Sequence, residues 1–143
     1  MYPCPDLRVV WAAGFFDGEG CVSLSRKTSR ETKSGYRYRL TLQVSQVKQE
    51  PLLVLRDLWG GTLSHHKGIN LNQQDYYSWT VEARKAEKAL VDILPYLIGK
   101  KKQAKLALEF MATFPGNRKD MANTNVVREA MKSAMHLLNR RGV

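Results

Sequence analysis

Residues 11–20 read Trp-Ala-Ala-Gly-Phe-Phe-Asp-Gly-Glu-Gly, and the interpretation of the whole chain depends on them. They continue an apolar run that begins at Leu7, directly after Asp6, a residue type favoured at helix N-caps. Apolar residues recur every three or four positions, so the stretch is predicted to form an amphipathic helix. Its shared face is predicted to contain Leu7, Val10, Trp11, Gly14, Phe15 and Gly18.

Two glycines on this face indicate that the helix has a partner. Gly14 and Gly18 each lower the helix propensity by about 1 kcal/mol relative to alanine. Close packing against a second helix would offset that loss, because a residue without a Cβ lets two backbones approach. We therefore predict a helix–helix interface on the face that carries the two glycines.

Two acidic residues occupy the last turn of this helix, where the negative end of the helix dipole disfavours them. Their placement indicates a bound cation at the helix end. Asp17 and Glu19 lie about 200° apart around a helix, so they cannot chelate one ion unless the helix ends first. Asp17 is therefore predicted to be a structural cap of the turn.

The composition excludes several classes of protein. A chain of 143 residues is expected to form a single domain over residues 1–143. No apolar run approaches the ~20 residues of a membrane span, and residues 1–10 lack the core of a signal peptide. Cys4 and Cys21 are too few for a disulfide framework. We expect an intracellular protein in a reducing compartment, not a secreted one, with no membrane partner.

The charge of the chain indicates its partner. Lys and Arg number 23 against 13 Asp and Glu, which gives a net charge of +10. Such an excess favours a polyanionic partner, nucleic acid above all, although a basic surface can also be merely soluble or attracted to membranes.

Alternation with period two predicts four strands, at residues 21–27, 36–46, 62–67 and 75–82. In the fourth, Tyr77, Trp79 and Val81 are predicted to point inward, and a slip of one residue would exchange the two faces. Helical spacing predicts a helix from Glu50, one over 86–94, and one from about 101 to 111 with Ala104, Leu108 and Met111 on one face and Leu106 and Phe110 beside it. After a break at 114–117, a last helix is predicted over 126–139, capped by residues 123–125. This order is typical of an α+β fold in which two hairpins form one antiparallel sheet with helices on the opposite face.

Residues 13–20, Ala-Gly-Phe-Phe-Asp-Gly-Glu-Gly, closely resemble the signature of the LAGLIDADG homing endonucleases, with Glu19 in place of the commoner second aspartate. The alternative is an amphipathic helix followed by a glycine-rich turn into a strand. The element order also resembles that family, whose αββαββα core lays a saddle-shaped antiparallel sheet along DNA. The resemblance covers residues 6 to about 113. Of the C-terminal helices over about 101–139, the last one adds little to it.

The resemblance implies divalent-metal-dependent phosphodiester hydrolysis. By matching the family motif, Glu19 would be the catalytic metal ligand and the Gly18 carbonyl a further ligand, for Mg²⁺ or Mn²⁺, with Ca²⁺ as a non-cleaving substitute. Gln46, at the end of the second strand, would position the nucleophilic water. Lys100 matches the basic residue that stabilises charge near the scissile phosphate, with the two lysines after it as rivals. The alternatives for these two residues are a solvated strand-end amide and an exposed helix-cap lysine.

The outer face of the predicted sheet carries the candidate DNA contacts. Arg37 and Arg39 are the strongest, because arginine makes bidentate contacts with guanine. Others would contact phosphate or water and position the protein without reading sequence. Lys48 joins them because Glu50 stands where some relatives carry a basic residue, so the site would depend on Lys48 or Lys100. The candidates are Ser23, Ser25, Lys27, Arg37, Arg39, Thr41, Gln43, Lys48, Ser64, His66, Tyr76 and Ser78.

One acid in each chain makes an incomplete site. Two copies that associate about a two-fold axis through the first helix would bring each Glu19 toward its twin, with metal ions neutralising the pair. The resemblance implies the same, since members with one motif are homodimers that cut nearly palindromic DNA, one strand at each active site. A dimer would carry a charge of +20, twice that of the chain, which suits a long footprint on DNA.

The leading hypothesis is therefore a homodimeric homing endonuclease that makes site-specific double-strand breaks in DNA during intron homing, with no small-molecule substrate. The rival is a non-cleaving DNA- or RNA-binding protein of the same fold, such as an intron maturase or a transcriptional regulator. A third possibility is an unrelated basic interaction module. An acid at Glu19 favours cleavage, because a pure binder gains nothing from a carboxylate beside phosphate. The expected location is an organelle (chloroplast or mitochondrion) or the cytoplasm of a bacterium or phage-infected cell.

Overall fold

The computed structural model describes residues 4–31, 35–114 and 121–140. The predicted α+β class is confirmed, and the predicted order of helices and strands is present with small shifts in their bounds. A 3-10 turn, Leu94–Tyr96, joins the third and fourth helices. The elements are α1 (Leu7–Glu19), β1 (Gly20–Thr28), β2 (Tyr36–Gln46), α2 (Glu50–Trp59), β3 (Thr62–His66), β4 (Tyr76–Glu82), α3 (Ala83–Ile93), α4 (Lys101–Met111) and α5 (Met121–Leu138).

The helix α1 begins and ends for local reasons. The Asp6 carboxylate accepts the backbone N–H of Arg8 at 2.9 Å, which is the predicted N-cap. At the other end the chain passes directly from Glu19 into β1 at Gly20. A Cβ on Gly20 would collide with the ring of Phe16, so the close approach of that ring requires glycine.

The four strands form one antiparallel sheet in the order β1-β2-β4-β3. The pairing of β1 with β2 runs from Gly20 opposite Val44 to Thr28 opposite Tyr36. The pairing of β2 with β4 is shorter and stops where Thr41 lies opposite Glu82. The hairpin end of β2 therefore extends beyond β4.

The helices cover one face of the sheet, and the core lies between the two layers. Trp79 and Val81 are buried there as predicted, so β4 has the predicted register. The indole N–H of Trp79 donates to the Gly60 carbonyl at 2.8 Å, and that of Trp59 donates to Asp92 at 2.9 Å. The other sheet residues of the core are Val22, Leu24, Tyr38, Leu40, Leu42 and Val44.

The C-terminal helices differ most from the prediction. The face of α4 that packs inward consists of Ala104, Ala107, Phe110 and Met111, whereas Leu108 is only partly buried. The prediction of a cap at residues 123–125 is wrong, because α5 already begins at Met121 and these residues lie inside it. Most of the predicted break at 114–117 lies outside the described residues.

Over residues 4–31, 35–114 and 121–140, every helix is either too short or too polar to cross a bilayer.

Candidate active site and DNA interface

The three predicted catalytic residues lie at the same end of α1. Gly20 is paired with Val44, so Glu19 lies beside the last residues of β2, where Gln46 ends the strand. The Lys100 ammonium donates to the backbone carbonyl of Asp17 at 2.6 Å, two residues before the motif acid Glu19. A helix end, a strand end and the loop before α4 thus bring together residues that are up to 81 positions apart in the chain.

Asp17 holds the loop before α4 against α1. Its carboxylate accepts the backbone N–H groups of Ile98, Gly99 and Lys100 at 3.0, 2.9 and 2.8 Å. Burial disfavours the charged form of Asp17, but these three donors and the Lys100 charge together outweigh it and hold the pKa of Asp17 below its ordinary value. The contacts agree with a structural role, although Asp17 binds the loop that leads into α4 and not, as predicted, the turn of its own helix.

Glu19 contrasts with Asp17, because its carboxylate is exposed and has no hydrogen-bond or salt-bridge partner among the described residues. The carbonyl of Gly18 also lies in the last helical turn, where no later residue of the helix donates to it. Carboxylate and carbonyl oxygens are the donors that Mg²⁺ and Ca²⁺ prefer, so this pair fits such an ion. Within residues 4–31, 35–114 and 121–140 no three His, Cys, Asp or Glu side chains form a complete metal site.

The predicted interface side of α1 is not covered by the rest of the chain. Leu7 is 79% exposed and Trp11 45% exposed. A Cβ added at Gly14 or Gly18 would meet no atom within 4 Å, so neither glycine is required for packing inside one chain. Two members of the predicted face, Val10 and Phe15, are half-buried. The side of α1 that faces the core consists of Ala12, Ala13 and Phe16.

The outer face of the sheet is polar and carries three cations near the β1–β2 hairpin. Ser25 lies opposite Arg39, and Lys27 lies opposite Arg37. Both arginines have acidic partners that the sequence analysis missed, since Arg37 lies 3.5 Å from Glu31 and Arg39 lies 3.1 Å from Glu82. No local pattern signals these pairs, because each depends on how the loop or the neighbouring strand lies against β2.

The remaining predicted DNA contacts occupy the middle and far end of the same face. Ser23 lies opposite Thr41, and the rings of His66 and Tyr76 stack with their centroids 4.8 Å apart. Gln43 is exposed on this face, Ser64 is half-buried, and Lys48 is exposed in the turn after β2.

The prediction that Ser78 contacts DNA is wrong. The alternation of residues along β4 places Ser78 on the outer face, but it is only 2% exposed and its hydroxyl shares a 2.8 Å hydrogen bond with Ser45. Neighbouring strands lie on both sides of it, with Ser45 and Ser64 as its cross-strand partners. Ser78 is therefore a packing residue of the sheet and is not accessible to bases.

The list of candidate DNA contacts omitted two exposed residues of this face. Cys21 lies opposite Gln43 at the end of β1 next to the motif acid, and Ser45 lies near the end of β2. The alternation that selected Ser23 and Gln43 also includes these two positions, so the sequence contained the signal for them.

Comparisons with known proteins agree with this geometry. The family model described as LAGLIDADG endonuclease matches residues 12–113. The DNA endonuclease I-CvuI of Chlorella vulgaris is 29% identical over 117 residues, which cover 80% of this chain and 69% of that protein. The probable intron-encoded endonuclease aI2 of Debaryomyces hansenii is 27% identical over 92 residues, which cover 59% of this chain. The match spans only 13% of that yeast protein.

Solved structures show the same fold. The crystal structure of the homing endonuclease I-CvuI with its target in the presence of Ca superposes with a TM-score of 0.77 at 26% identity, covering 96% of this chain and 84% of that one. The archaeal intron-encoded homing endonuclease I-Vdi141I, in complex with DNA, also gives 0.77, at 21% identity, over 96% and 87% of the two chains. Since the family model covers more than half of the residues and includes the whole α1 motif from Ala12, the chain belongs to the LAGLIDADG endonuclease family.

Proposed function

We propose that this chain is a homing endonuclease that acts as a homodimer and makes site-specific double-strand breaks in a long, nearly palindromic DNA target. The observation that carries the proposal is the meeting of Glu19, Gln46 and Lys100 at one end of α1, beside the polar outer face of the sheet. The residues over 1–143 would act as one endonuclease domain.

Duplex DNA is the substrate that fits the outer face. This face presents hydroxyls, amides and the cations of Lys27, Arg37 and Arg39, whereas the buried aliphatic side chains of β1 and β2 lie on the opposite face. Groups of this kind bind phosphates and base edges in the major groove. The crystal structures of I-CvuI and I-Vdi141I in complex with DNA support the same substrate class.

The Glu19 carboxylate and the Gly18 carbonyl would hold a divalent ion, Mg²⁺ or Mn²⁺, with Ca²⁺ as a non-cleaving substitute. Such an ion, when bound, supplies positive charge that stabilises the transferring phosphoryl group and the leaving oxygen. The crystal structures of I-CvuI in the presence of Ca and in the presence of Mg support the use of divalent ions.

The side chains of this chain would perform the remaining tasks. The Gln46 amide can donate and accept hydrogen bonds, so it can orient a water molecule for attack on phosphorus. The Lys100 ammonium lies at the surface of the site and can stabilise charge that develops on the phosphate. Asp17 keeps Lys100 in place through the three backbone N–H groups of its loop.

Dimerisation would complete the site. The open side of α1 offers the exposed Leu7 and Trp11 together with two glycines that have free space above them. A second copy packed on this side about a two-fold axis would bury these apolar residues and bring the two Glu19 carboxylates together. Each strand of the duplex would then meet one of two adjacent sites.

The working place of the enzyme would be inside the cell, where a genome is accessible. The name of the yeast relative, an intron-encoded endonuclease, supports an organellar or cytoplasmic location.

The proposal is tested by incubating the purified chain with a library of randomised DNA duplexes and Mg²⁺ and by sequencing the broken ends. We expect double-strand breaks within one family of nearly palindromic sites and no breaks when EDTA removes the ion. Specific binding without breaks in Mg²⁺ or Mn²⁺ would refute cleavage and leave a non-cleaving DNA-binding protein. Affinity for DNA should fall as the salt concentration rises whether the protein is an endonuclease or a non-cleaving DNA-binding protein, because binding releases counterions from phosphate.

A further inference from the structure

One ion pair crosses the outer face of the sheet where β4 ends. The Arg39 guanidinium on β2 lies 3.1 Å from the carboxylate of Glu82, the last residue of β4. Glu82 is directly opposite Thr41, and Arg39 is the next residue along β2 that points to the same face. The pair therefore lies diagonally across the two strands, on the surface that the proposed function assigns to DNA.

Glu82 occupies a constrained position. The next residue, Ala83, has φ = +55°, a left-handed conformation that is strained for a residue with a Cβ. This turn directs the chain away from β2 into α3 immediately after the carboxylate. No residue of β4 lies opposite Arg39, and Glu82 takes the position from which its side chain reaches the guanidinium.

The carboxylate has no evident role in stability. The Arg39 and Glu82 side chains are 30% and 44% exposed, and an exposed ion pair of this kind contributes little to folding. A negative charge on a surface that approaches phosphates also weakens DNA binding by repulsion. Both considerations indicate that the Glu82 carboxylate affects how Arg39 contacts DNA.

A carboxylate can fix the orientation of an arginine. The guanidinium has five N–H donors in a planar fork, and an ion pair at one edge, such as the contact of Arg39 Nη1 with Glu82, leaves the other edge free. Held in this way, the free edge can donate to both O6 and N7 of a guanine, the commonest specific contact in the major groove. An unheld arginine can reach a nearby phosphate instead, which gives affinity without specificity.

We propose that Glu82 is a positioning residue for base recognition, which orients Arg39 toward a guanine and disfavours binding to non-cognate DNA. The inference rests on the proposed function, because it requires that the outer face binds DNA. The second ion pair supplies a matched comparison. Glu31 and Arg37 are 3.5 Å apart, and their side chains are 81% and 52% exposed, so this pair holds its arginine less firmly.

The test is a binding selection on randomised duplexes with the full chain and four variants. The wild-type protein should select guanine at one position of each half-site, and Arg39→Ala should lose that preference. Glu82→Gln should reduce it by about tenfold, raise the affinity for random duplex, and leave other positions unchanged. Glu31→Gln should leave the Arg39 position unchanged, and the double variant Arg39→Ala/Glu82→Gln should resemble Arg39→Ala.

Thermal unfolding separates positioning from a structural role, because Glu82→Gln should leave Tm within a few degrees of the wild type. Full retention of the guanine preference in Glu82→Gln would overturn the proposal, as would an unchanged specificity profile in Arg39→Ala. A wild-type chain that binds no duplex at all would instead refute the proposed function, and the inference with it, so the two failures are distinguishable.

Discussion

The two sides of α1 differ in what they contact. On the inner side, Ala12, Ala13 and Phe16 are buried, and Asp17 binds the loop before α4. On the outer side, Leu7 and Trp11 are exposed, the glycines have free space above them, and the Glu19 carboxylate has no partner in the described part of the chain. The inner side is complete within one chain and the outer side is not. One ten-residue motif thus combines residues that hold the fold with residues whose contacts must come from DNA, a metal ion or a second copy.

The largest effect should come from the acid on the outer side. Glu19→Gln removes the charge that would hold the metal ion, so we expect DNA cleavage to fall by about a thousandfold or more while site-specific binding persists. Strand breaks and gel shifts on the same duplex measure the two quantities. The matched control is Glu109→Gln, another exposed acid, which should keep cutting. Retained cutting by Glu19→Gln with lost binding would contradict the assignment.

A bulky residue on the outer side should abolish association without unfolding the chain. In Gly14→Leu the new Cβ meets no atom of its own subunit within 4 Å, but the leucine side chain would crowd a helix packed across the two-fold axis. Overpacking costs about 1–3 kcal/mol at each site, and the symmetry of the dimer doubles it to roughly 2–6 kcal/mol. Sedimentation or sizing chromatography should show monomers with unchanged far-UV circular dichroism.

Gly14→Ala is the milder control for that variant. Alanine should stabilise the isolated helix by up to about 1 kcal/mol, because it raises helix propensity where nothing obstructs the methyl group. A dimer of unchanged strength in Gly14→Leu would place the interface elsewhere on the molecule.

A substitution on the inner side of α1 should lower the free energy of unfolding. The amide in Asp17→Asn has a single acceptor oxygen, so it cannot replace two carboxylate oxygens that accept three N–H groups. We expect a loss of about 1–2 kcal/mol in the free energy of unfolding, comparable to the loss of a helix cap. Asp6→Asn is the matched control at the other end of α1 and should change little, since asparagine caps as well as aspartate. Urea denaturation measures both, and equal losses would mean that Asp17 has no special role.

The smallest effect is a pH dependence with a defined sign. Because the pKa of Asp17 is lower in the folded chain than its ordinary value of 3.8, the unfolded chain binds more protons between these values. The stabilisation is fully present above about pH 4 and is lost as the pH falls through the lower, folded pKa. In thermal melts from pH 3 to 7, Tm should fall less at the acid end in Asp17→Asn than in the wild type. A residual decline is expected from Asp6 and Glu129, whose pKa values are also lowered by their hydrogen bonds.

Sequence reasoning succeeded where the physical cause is local. The bounds and the faces of β2 followed from alternation alone, because side chains of an extended strand alternate regardless of what covers them. The start of α1 followed from Asp6, whose carboxylate needs only the N–H groups of the next turn. The motif supplied Glu19 as a candidate, and the family resemblance of two other segments supplied Gln46 and Lys100. The fold brings these three residues to one end of α1.

Sequence reasoning failed where two or more elements decide the outcome. Ser78 has the alternation of an exposed residue, but strands on both sides bury it. The apolar residues of α4 allow more than one inward face, and its packing among the other helices selected the one with Ala107 and Phe110. The start of α5 at Met121 also contradicts the cap that local residue types suggested.

The sequence by itself determined the α+β class, the family motif and the polar outer face of the sheet, because helix and strand periodicities are properties of the backbone over a few residues. Only the tertiary structure decided the partners of the charged groups. Asp17 accepts N–H groups 81 to 83 positions away, and Glu82 reaches Arg39 because β4 stops beside β2. Such contacts exist only after the sheet and helices have packed, since distant residues meet through the fold and carry no spacing that a linear pattern could reveal.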